Sequence, residues 1–207
     1  KKCSRFWIIL FKTILSKLYH WKIYVVGSVE YQYPNHLFQA GYFLDKKYYD
    51  ENTIDFKHLL LSEKNQSLLK DIQNSNSVGV HIRRGDYMTK QNLVIFGNIC
   101  TQKYYHDAIR IITEKVNDAV FYVFSDDIRW VQTHVDIPNA VYVNWNTGES
   151  SIYDMYLMSS CKYNIIANST FSYWAARLNK KTNMVIYPSK WYNTFTPDIF
   201  PESWCGI

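Results

Sequence analysis

A chain of 207 residues, 47% of them apolar, is long enough to bury one large core or two small ones. Its net charge of +5 is mild and its basic residues are dispersed, which excludes a typical nucleic-acid-binding protein and leaves an anionic small ligand or an anionic membrane surface. The four cysteines lie far apart without metal-ligand spacing, so we interpret them as reduced thiols of a cytosolic protein.

The first third of the chain carries weaker signals. Apolar residues recur at three- and four-residue spacing within 6–18, which predicts an amphipathic helix that packs in a core or, alternatively, lies on a membrane surface. This segment is too short and too polar to span a membrane, and it lacks a signal-peptide cleavage site. An extended segment is expected over 22–33 and a helix over 59–72.

From residue 77 onward, short apolar runs alternate with amphipathic segments. The polar run 73–77 is the predicted boundary between a first domain, 1–76, and a second domain, 77–207. Five strands are predicted at 78–82, 119–124, 140–143, 163–167 and 184–187. Four helices are predicted between them at 102–116, 127–134, 152–160 and 170–178. This alternation predicts an α/β fold with a Rossmann-type parallel sheet in the order 3-2-1-4-5.

Cations follow the first of these five strands, at His81, Arg83 and Arg84, and Gly85 and Asp86 come next. Ligands bind at the carboxyl edge of open parallel sheets. Two adjacent guanidinium groups fit the geometry of a doubly charged phosphate group. The alternative is a surface pair of arginine and aspartate, and His81 either orients a ligand or is a buried structural histidine.

The predicted strand order brings the loop after strand 4, 168–172, next to this arginine loop. Hydroxyl and amide groups at a helix N-terminus form an anion site. We therefore predict a pyrophosphate clamp from Arg83, Arg84 and 168–172. The alternative is that Asn168, Ser169 and Thr170 only cap the helix.

Carboxylates are also expected near this carboxyl edge of the sheet. Asp126 and Asp127 end strand 2. The pair either holds Mg²⁺, or one carboxylate binds a ribose hydroxyl and the other stabilises the N-terminus of the next helix. We favour the ribose and predict no metal, because the two arginines already supply positive charge. Asp154 either reaches the crevice or serves only its own helix.

Three segments together resemble the bacterial and animal α-1,2-fucosyltransferases of glycosyltransferase family 11. They are VHIRRGDY at 80–87, FYVFSDDIRW at 121–130 and DMYLMSSCKYNIIANSTFSYWAARL at 154–178. GYFLDKKYY at 41–49 and a closing Pro-x-x-Trp at 188–191 are similar as well. The family's Gly-rich GxGNQxFQ loop has no counterpart, so we expect a truncated member, and Tyr163 and Tyr173 stand where the family often has His and Trp.

The resemblance implies a GT-B-like fold with a partial N-terminal acceptor domain. It also implies inverting transfer of L-fucose from GDP-fucose to the 2-hydroxyl of a galactoside, with no cofactor and no metal. The implied catalytic residues are His81, Arg83, Arg84 and Asp86. The implied donor-binding residues are His81, Arg83, Arg84, Asp126, Asp154, Asn168, Ser169, Thr170 and Phe171.

The expected acceptor is a galactose-terminated glycan or a lipid-linked oligosaccharide of a bacterial surface polysaccharide, with no role for nucleic acid. We expect a cytoplasmic protein, with peripheral contact to the inner face of the membrane as a further expectation. The alternatives are a non-catalytic GDP-sugar-binding fragment and a fucosyltransferase of different linkage.

Overall fold

The computed structural model describes Ile14, Lys17, residues 24–27, 38–41 and 55–207. The chain divides into two compact units, Lys1–Asp50 and Glu51–Ile207. In the first unit, strands β1 (Tyr24–Gly27) and β2 (Phe38–Gly41) form a parallel pair. The extended segment predicted over 22–33 is thus confirmed at β1. Ile14 and Lys17 are helical, and the rest of the predicted amphipathic helix lies outside the described residues.

The second unit is built on a sheet of six parallel strands. The strands are β3 (Asn76–Ile82), β4 (Ala119–Ser125), β5 (Ala140–Val143), β6 (Tyr163–Ile165), β7 (Met184–Tyr187) and β8 (Cys205–Gly206). Their order is β5-β4-β3-β6-β7-β8. The five predicted strands and their order are confirmed, and β8 is an additional edge strand that the sequence analysis missed.

Six helices are described between 55 and 207. They are α1 (Glu63–Asn74), α2 (Lys90–Phe96), α3 (Gln102–Thr113), α4 (Ile128–His134), α5 (Ser151–Ser159) and α6 (Thr170–Arg177). Short 3₁₀ turns cover Gly85–Met88 and Gly148–Ser150. The five predicted helices of this unit are confirmed with shifted ends, whereas α2 and both 3₁₀ turns were not predicted.

Local capping explains where two of these helices begin. The Thr101 hydroxyl accepts the Tyr104 N–H at 3.3 Å at the start of α3, and the Asp127 carboxylate accepts the Trp130 N–H at 3.2 Å at the start of α4. Each satisfies a backbone donor that lacks an intrahelical partner. One oxygen of Asp127, two residues after the end of β4, is therefore used at the start of α4.

Both faces of the sheet are covered by helices, because side chains along each strand alternate between them. Phe121 and Val123 of β4 pack on one face in a cluster with α3 and α4. Tyr122 and Phe124 pack on the other face in a cluster with α1, α5 and α6. The predicted α/β class with a Rossmann-type parallel sheet is confirmed, and its carboxyl edge stays open to a ligand.

Helix α1 packs on the sheet through Leu68 and Ile72, which share their cluster with Tyr122. This helix precedes the boundary that the sequence analysis placed between 76 and 77. The boundary itself stays a prediction.

Candidate active site

Arg83 lies just past the end of β3, where two carboxylates hold its guanidinium group. Its Nη1 lies 2.9 Å from Oδ2 of Asp126, and its Nη2 donates to Oδ1 of Asp86 at 2.6 Å. A guanidinium group has five N–H donors, so these two contacts leave three for a ligand. The side chain is 31% exposed. Arg83 is thus a positioned cation with donors to spare.

Arg84 contacts a different set of side chains. Its Nε donates to Oδ2 of Asp127 at 3.3 Å, and its guanidinium carbon lies 3.4 Å from the centre of the Trp130 ring. Arg83 and Arg84 are thus held by different carboxylates, Arg83 by Asp86 and Asp126 and Arg84 by Asp127. The pyrophosphate clamp stays a prediction.

Asp126 joins this loop to the end of β4. Its Oδ1 accepts the backbone N–H of Arg84 at 2.9 Å, while its Oδ2 contacts Arg83. A Cβ atom at Gly85 would collide with this carboxylate, so the close approach requires glycine. Asp126 and Asp86 together fix the direction of the Arg83 guanidinium group.

A cavity of about 810 Å³ opens at the carboxyl edge of β3, β4 and β5. We call it the large cavity. It is within the range of about 300–1,000 Å³ that ligand pockets occupy. Five of the predicted site residues line it: His81, Arg83, Asp126, Asp154 and Phe171.

A second cavity of about 260 Å³, the small cavity, lies beside it. Arg84 and Asn168 line the small cavity and not the large one, whereas Arg83 lines both. Asp86 lines neither of these two cavities and contacts Arg83 instead.

His81 is 4% exposed, and its ring lies 5.0 Å from that of Phe171. Burial lowers its pKa to about 3, with a further contribution from the Arg83 charge. Its Nδ1 is buried and has no hydrogen-bond partner among the described residues. His81 is therefore a neutral imidazole in the wall of the large cavity with unused hydrogen-bonding capacity.

Asp154, on α5, is a buried carboxyl group in the cavity wall. Burial raises its pKa to about 7, although a hydrogen bond from Asn146 lowers it. Asn146 Nδ2 donates to its Oδ1 at 2.7 Å. Asn65 of α1 donates in turn to Asn146 at 3.0 Å. Of the two roles left open for Asp154, the structure supports the one in the crevice.

The turn between β6 and α6 uses the groups of Asn168 internally. The Asn168 Nδ2 donates to the carbonyl of Trp191 at 3.0 Å, and its Oδ1 accepts from Cys100 Sγ at 3.3 Å. The Asn168 carbonyl accepts the Tyr87 hydroxyl at 2.9 Å. Asn168 therefore connects three segments of the chain.

The rest of this turn contributes less to the cavities than predicted. Ser169 and Thr170 line neither of the two cavities, and Ser169 makes no side-chain cap at the start of α6. Phe171 is the residue of the first turn of α6 that lines the large cavity. The first backbone N–H groups of α6 lack intrahelical partners, and groups of this kind can bind an anion.

The sequence analysis missed two features of the large cavity. Arg129, the second residue of α4, lines it and makes no ion pair among the described residues. The loop after β5, residues 144–148, supplies a further wall through Asn144, Thr147 and Gly148. This loop follows a predicted strand at the same sheet edge, and that position was an available signal.

The chain matches one known protein family over most of its length. The model of the family described as Glycosyl transferase family 11 matches residues 9–207. The chain belongs to glycosyl transferase family 11. The resemblance found in the three sequence segments is thereby confirmed at the level of the family.

Several curated proteins are related to this family-11 chain. It is 35% identical over 196 residues to an alpha-1,2-colitosyltransferase of Escherichia coli, an alignment that covers 87% of this chain and 63% of that protein. It is 44% identical over 122 residues to the O-antigen biosynthesis glycosyltransferase WbnK of Escherichia coli, covering 58% and 40%. It is 28% identical over 163 residues to galactoside alpha-(1,2)-fucosyltransferase 2 of Pongo pygmaeus, covering 72% and 48%.

The family-11 chain thus spans between 40% and 63% of the length of these relatives. Among solved structures, fucosyltransferase NodZ from Bradyrhizobium is similar with a TM-score of 0.38 and 14% identity, over 59% of this chain and 43% of that one. This structural likeness is too low to support an argument about the site. Among the helices described, none has the length and apolar character needed to cross a bilayer.

Proposed function

We propose that the family-11 chain binds GDP-fucose in the large cavity and transfers L-fucose, with inversion, to the 2-hydroxyl of a galactoside. The observation that carries the proposal is Arg83, held by two carboxylates at the edge of a nucleotide-sized cavity with three N–H donors left for a phosphate. Family membership and the α-1,2 linkage in the names of two relatives support the same reaction.

Asp154 is the proposed partner of the guanine base. The Watson–Crick edge of guanine presents its ring N–H and exocyclic amino group side by side, and an ionised carboxylate only accepts hydrogen bonds. The buried Asp154 carboxylate, steadied by Asn146, fits these two donors. Phe124 and Val143 supply apolar wall in the same cavity.

The pyrophosphate is proposed to lie between Arg83, Arg129 and the first turn of α6 at Phe171. Arg83 shares its charge with two carboxylates, whereas Arg129 has no such partner among the described residues. Arg129 thereby takes the place that the sequence analysis gave to Arg84. Asp86 and Asp126 act as positioning residues, since both hold the Arg83 guanidinium group.

The proposed step is a direct displacement at the anomeric carbon of fucose. A bond forms between that carbon and the acceptor oxygen, whose proton is released to water. The bond to the β-phosphate oxygen breaks, and its electron pair leaves with GDP. Donors already aimed at the departing charge stabilise such a transition state, commonly the largest catalytic contribution. Because Arg83 and Arg129 supply positive charge, we propose that the reaction needs no metal ion or other cofactor.

The related proposals concern the biological setting. O-antigen biosynthesis in the name of one relative supports a bacterial surface polysaccharide, free or lipid-linked, as the acceptor. We propose that the reaction takes place in the cytoplasm, with peripheral contact to the inner face of the membrane.

The decisive experiment incubates the chain with GDP-fucose and methyl β-D-galactopyranoside, with and without EDTA, beside a calorimetric titration with GDP. We expect GDP binding, an α-1,2-linked product identified by NMR, and no effect of EDTA. GDP binding without product would favour the alternative, a non-catalytic GDP-sugar-binding module. A colitose donor belongs in the same assay, since one relative is a colitosyltransferase. Absence of GDP binding would refute the proposal.

A further inference from the structure

The small cavity is separate from the large one except at a single side chain. Its walls come from the end of β3, the 3₁₀ turn, α2 and the start of α3. Of the residues that line either cavity, Arg83 is the one common to both. A molecule in each cavity would therefore meet its neighbour at the Arg83 guanidinium group.

The size of the small cavity limits what it can hold. Its volume of about 260 Å³ is below the range of about 300–1,000 Å³ typical of pockets for drug-sized ligands. A nucleotide is too large for it, whereas one pyranose ring is a suitable occupant.

The chemistry of its walls fits a neutral sugar. Tyr87 and Phe96 stack with their ring centres 4.4 Å apart and give an aromatic wall. Gln102 and Asn98 bring amide groups whose side chains make no hydrogen bond among the described residues, and no carboxylate or lysine lines the cavity. Aromatic faces combined with polar groups suit a sugar ring, which has apolar C–H faces and a rim of hydroxyl groups.

Arg84 completes this wall. Its guanidinium group is stacked on Trp130 and anchored through Nε to Asp127, which leaves both terminal nitrogens as donors. Trp130 is itself stacked on His134 with ring centres 4.4 Å apart. The Arg84 side chain is thus fixed in place by ring contacts and an ion pair, and a fixed donor costs little entropy on binding a hydroxyl.

We propose that the small cavity is the acceptor subsite, which binds the galactosyl ring with its 2-hydroxyl directed past Arg83 to the face of the anomeric carbon opposite the departing phosphate. This inference rests on the proposed function, because Arg83 there stabilises the departing phosphate. It moves Arg84 from donor binding to acceptor recognition and adds Tyr87 and Gln102 to the acceptor-binding residues.

The test separates acceptor from donor by two pairs of variants. Leu93 and Val94 are neighbours on α2, but Leu93 lines the small cavity and Val94, 72% exposed, lines neither cavity. Gln102 lines it as well, whereas the adjacent Lys103 does not. Leu93→Trp and Gln102→Ala are the test variants, and Val94→Trp and Lys103→Ala are the matched controls.

Each variant is measured for GDP affinity by calorimetry and for saturation-transfer NMR of methyl β-D-galactopyranoside with GDP present. We expect Leu93→Trp to abolish the galactoside signal and Gln102→Ala to weaken galactoside affinity about tenfold, with GDP affinity within twofold of the unchanged chain. The controls should match the unchanged chain, and unaltered GDP affinity reports that a variant is folded.

The outcomes distinguish this inference from the proposed function. If the unchanged chain binds no GDP, both the proposed function and this inference fall. If it binds GDP but shows no galactoside signal, or if Leu93→Trp and Gln102→Ala retain full galactoside affinity, the acceptor subsite is wrong while the donor site stands.

Discussion

The loop after β3 and the turn after β6 carry similar sequence signals but use their polar groups differently. In the first, Arg83 keeps three of its N–H donors available beside the large cavity. In the second, Asn168 directs its side chain to Trp191 and Cys100, within the protein. Polar residues at a strand end are therefore a guide to the edge where a ligand binds, but not to which residues bind it.

The difference follows from what surrounds each segment. The loop after β3 faces the open ends of β4 and β5, while the turn after β6 is covered by chain from Tyr87, Cys100 and Trp191. A buried polar group needs a hydrogen-bond partner within the protein. The polar groups of Asn168 in the covered turn therefore bond to neighbouring segments of the chain rather than to a ligand. The following variants measure how far the two segments differ.

The largest effect is expected for Arg83→Ala. Removing a donor aimed at the departing charge typically costs about 10²–10³ in rate, so we expect kcat to fall by at least about 100-fold. The side chain is partly exposed and outside the core, and the melting temperature should change little. Arg110→Ala is the matched control, because this exposed arginine of α3 pairs with Glu114 and lines neither cavity. A rate for Arg83→Ala within tenfold of normal would remove this residue from the mechanism.

The next effect in size is that of Asp154→Asn on base recognition. The amide keeps an oxygen for Asn146 but loses a charged acceptor, and hydrogen bonds to charged groups contribute about 1.5–3 kcal/mol, so GDP should bind about 10- to 100-fold more weakly. The amide should improve binding of xanthosine diphosphate, whose base carries a carbonyl where guanine has its amino group. Calorimetry with both nucleotides checks this, and equal loss for both would contradict guanine recognition.

The pKa of Asp154 also predicts two opposite pH effects. Its folded-state value of about 7 is above the ordinary 3.8, so GDP affinity should fall as pH drops from 8 to 6 and the carboxylate is protonated. A raised folded-state pKa favours folding fully below 3.8 and loses that contribution as pH rises through 7. Asp154→Asn should remove both dependences. Persistence of the affinity change in that variant would assign it to another group.

Asn168→Ala tests the covered turn. It leaves buried partners unsatisfied, each of which costs about 1–3 kcal/mol, so the free energy of unfolding should fall by about that amount. GDP affinity measured well below the melting temperature should stay within threefold, because Asn168 does not line the large cavity. Urea denaturation checks the first part and calorimetry the second. A large loss of GDP affinity at unchanged stability would return Asn168 to the donor site.

The smallest effect is expected for Ser169→Ala. The Ser169 hydroxyl makes no cap and lines neither cavity, so both GDP affinity and kcat should stay within threefold. Any contribution of this turn to phosphate binding would come from backbone N–H groups, which the substitution keeps. A tenfold loss would restore the predicted role of the hydroxyl.

Much of the fold was predictable because the signals are local. Short apolar runs between amphipathic segments place the strands at β3 to β7, and right-handed crossovers then leave few sheet orders. Strand β8 escaped because two residues carry no periodicity and depend on pairing with β7. Helix α2 escaped because it is short and keeps apolar residues such as Val94 exposed.

The sequence predicted at which edge of the sheet the site lies, but not the full set of side chains that form it. His81, Arg83, Asp126, Asp154 and Phe171 lie together as expected. The two arginines have different partners, because the chain leaves the extended conformation at Arg84, whose φ is −132° and ψ is −76°. Arg84 contacts Trp130 and Asp127, whereas Arg83 contacts Asp86 and Asp126. Arg129 enters the cavity from a helix face, and that orientation depends on how α4 packs on the sheet.

The loop after β5 also offers a way to redesign substrate choice. Thr147 and Gly148 are exposed and belong to a surface connection rather than to a strand, and no atom lies within 4 Å of the Cβ position of Gly148. Because Gly148 has a φ of 60°, Asn is the side chain that this position tolerates best. If the proposed function holds, we expect variation confined to these two cavity-lining residues to change the nucleotide-sugar preference and to leave the hydrophobic interior intact.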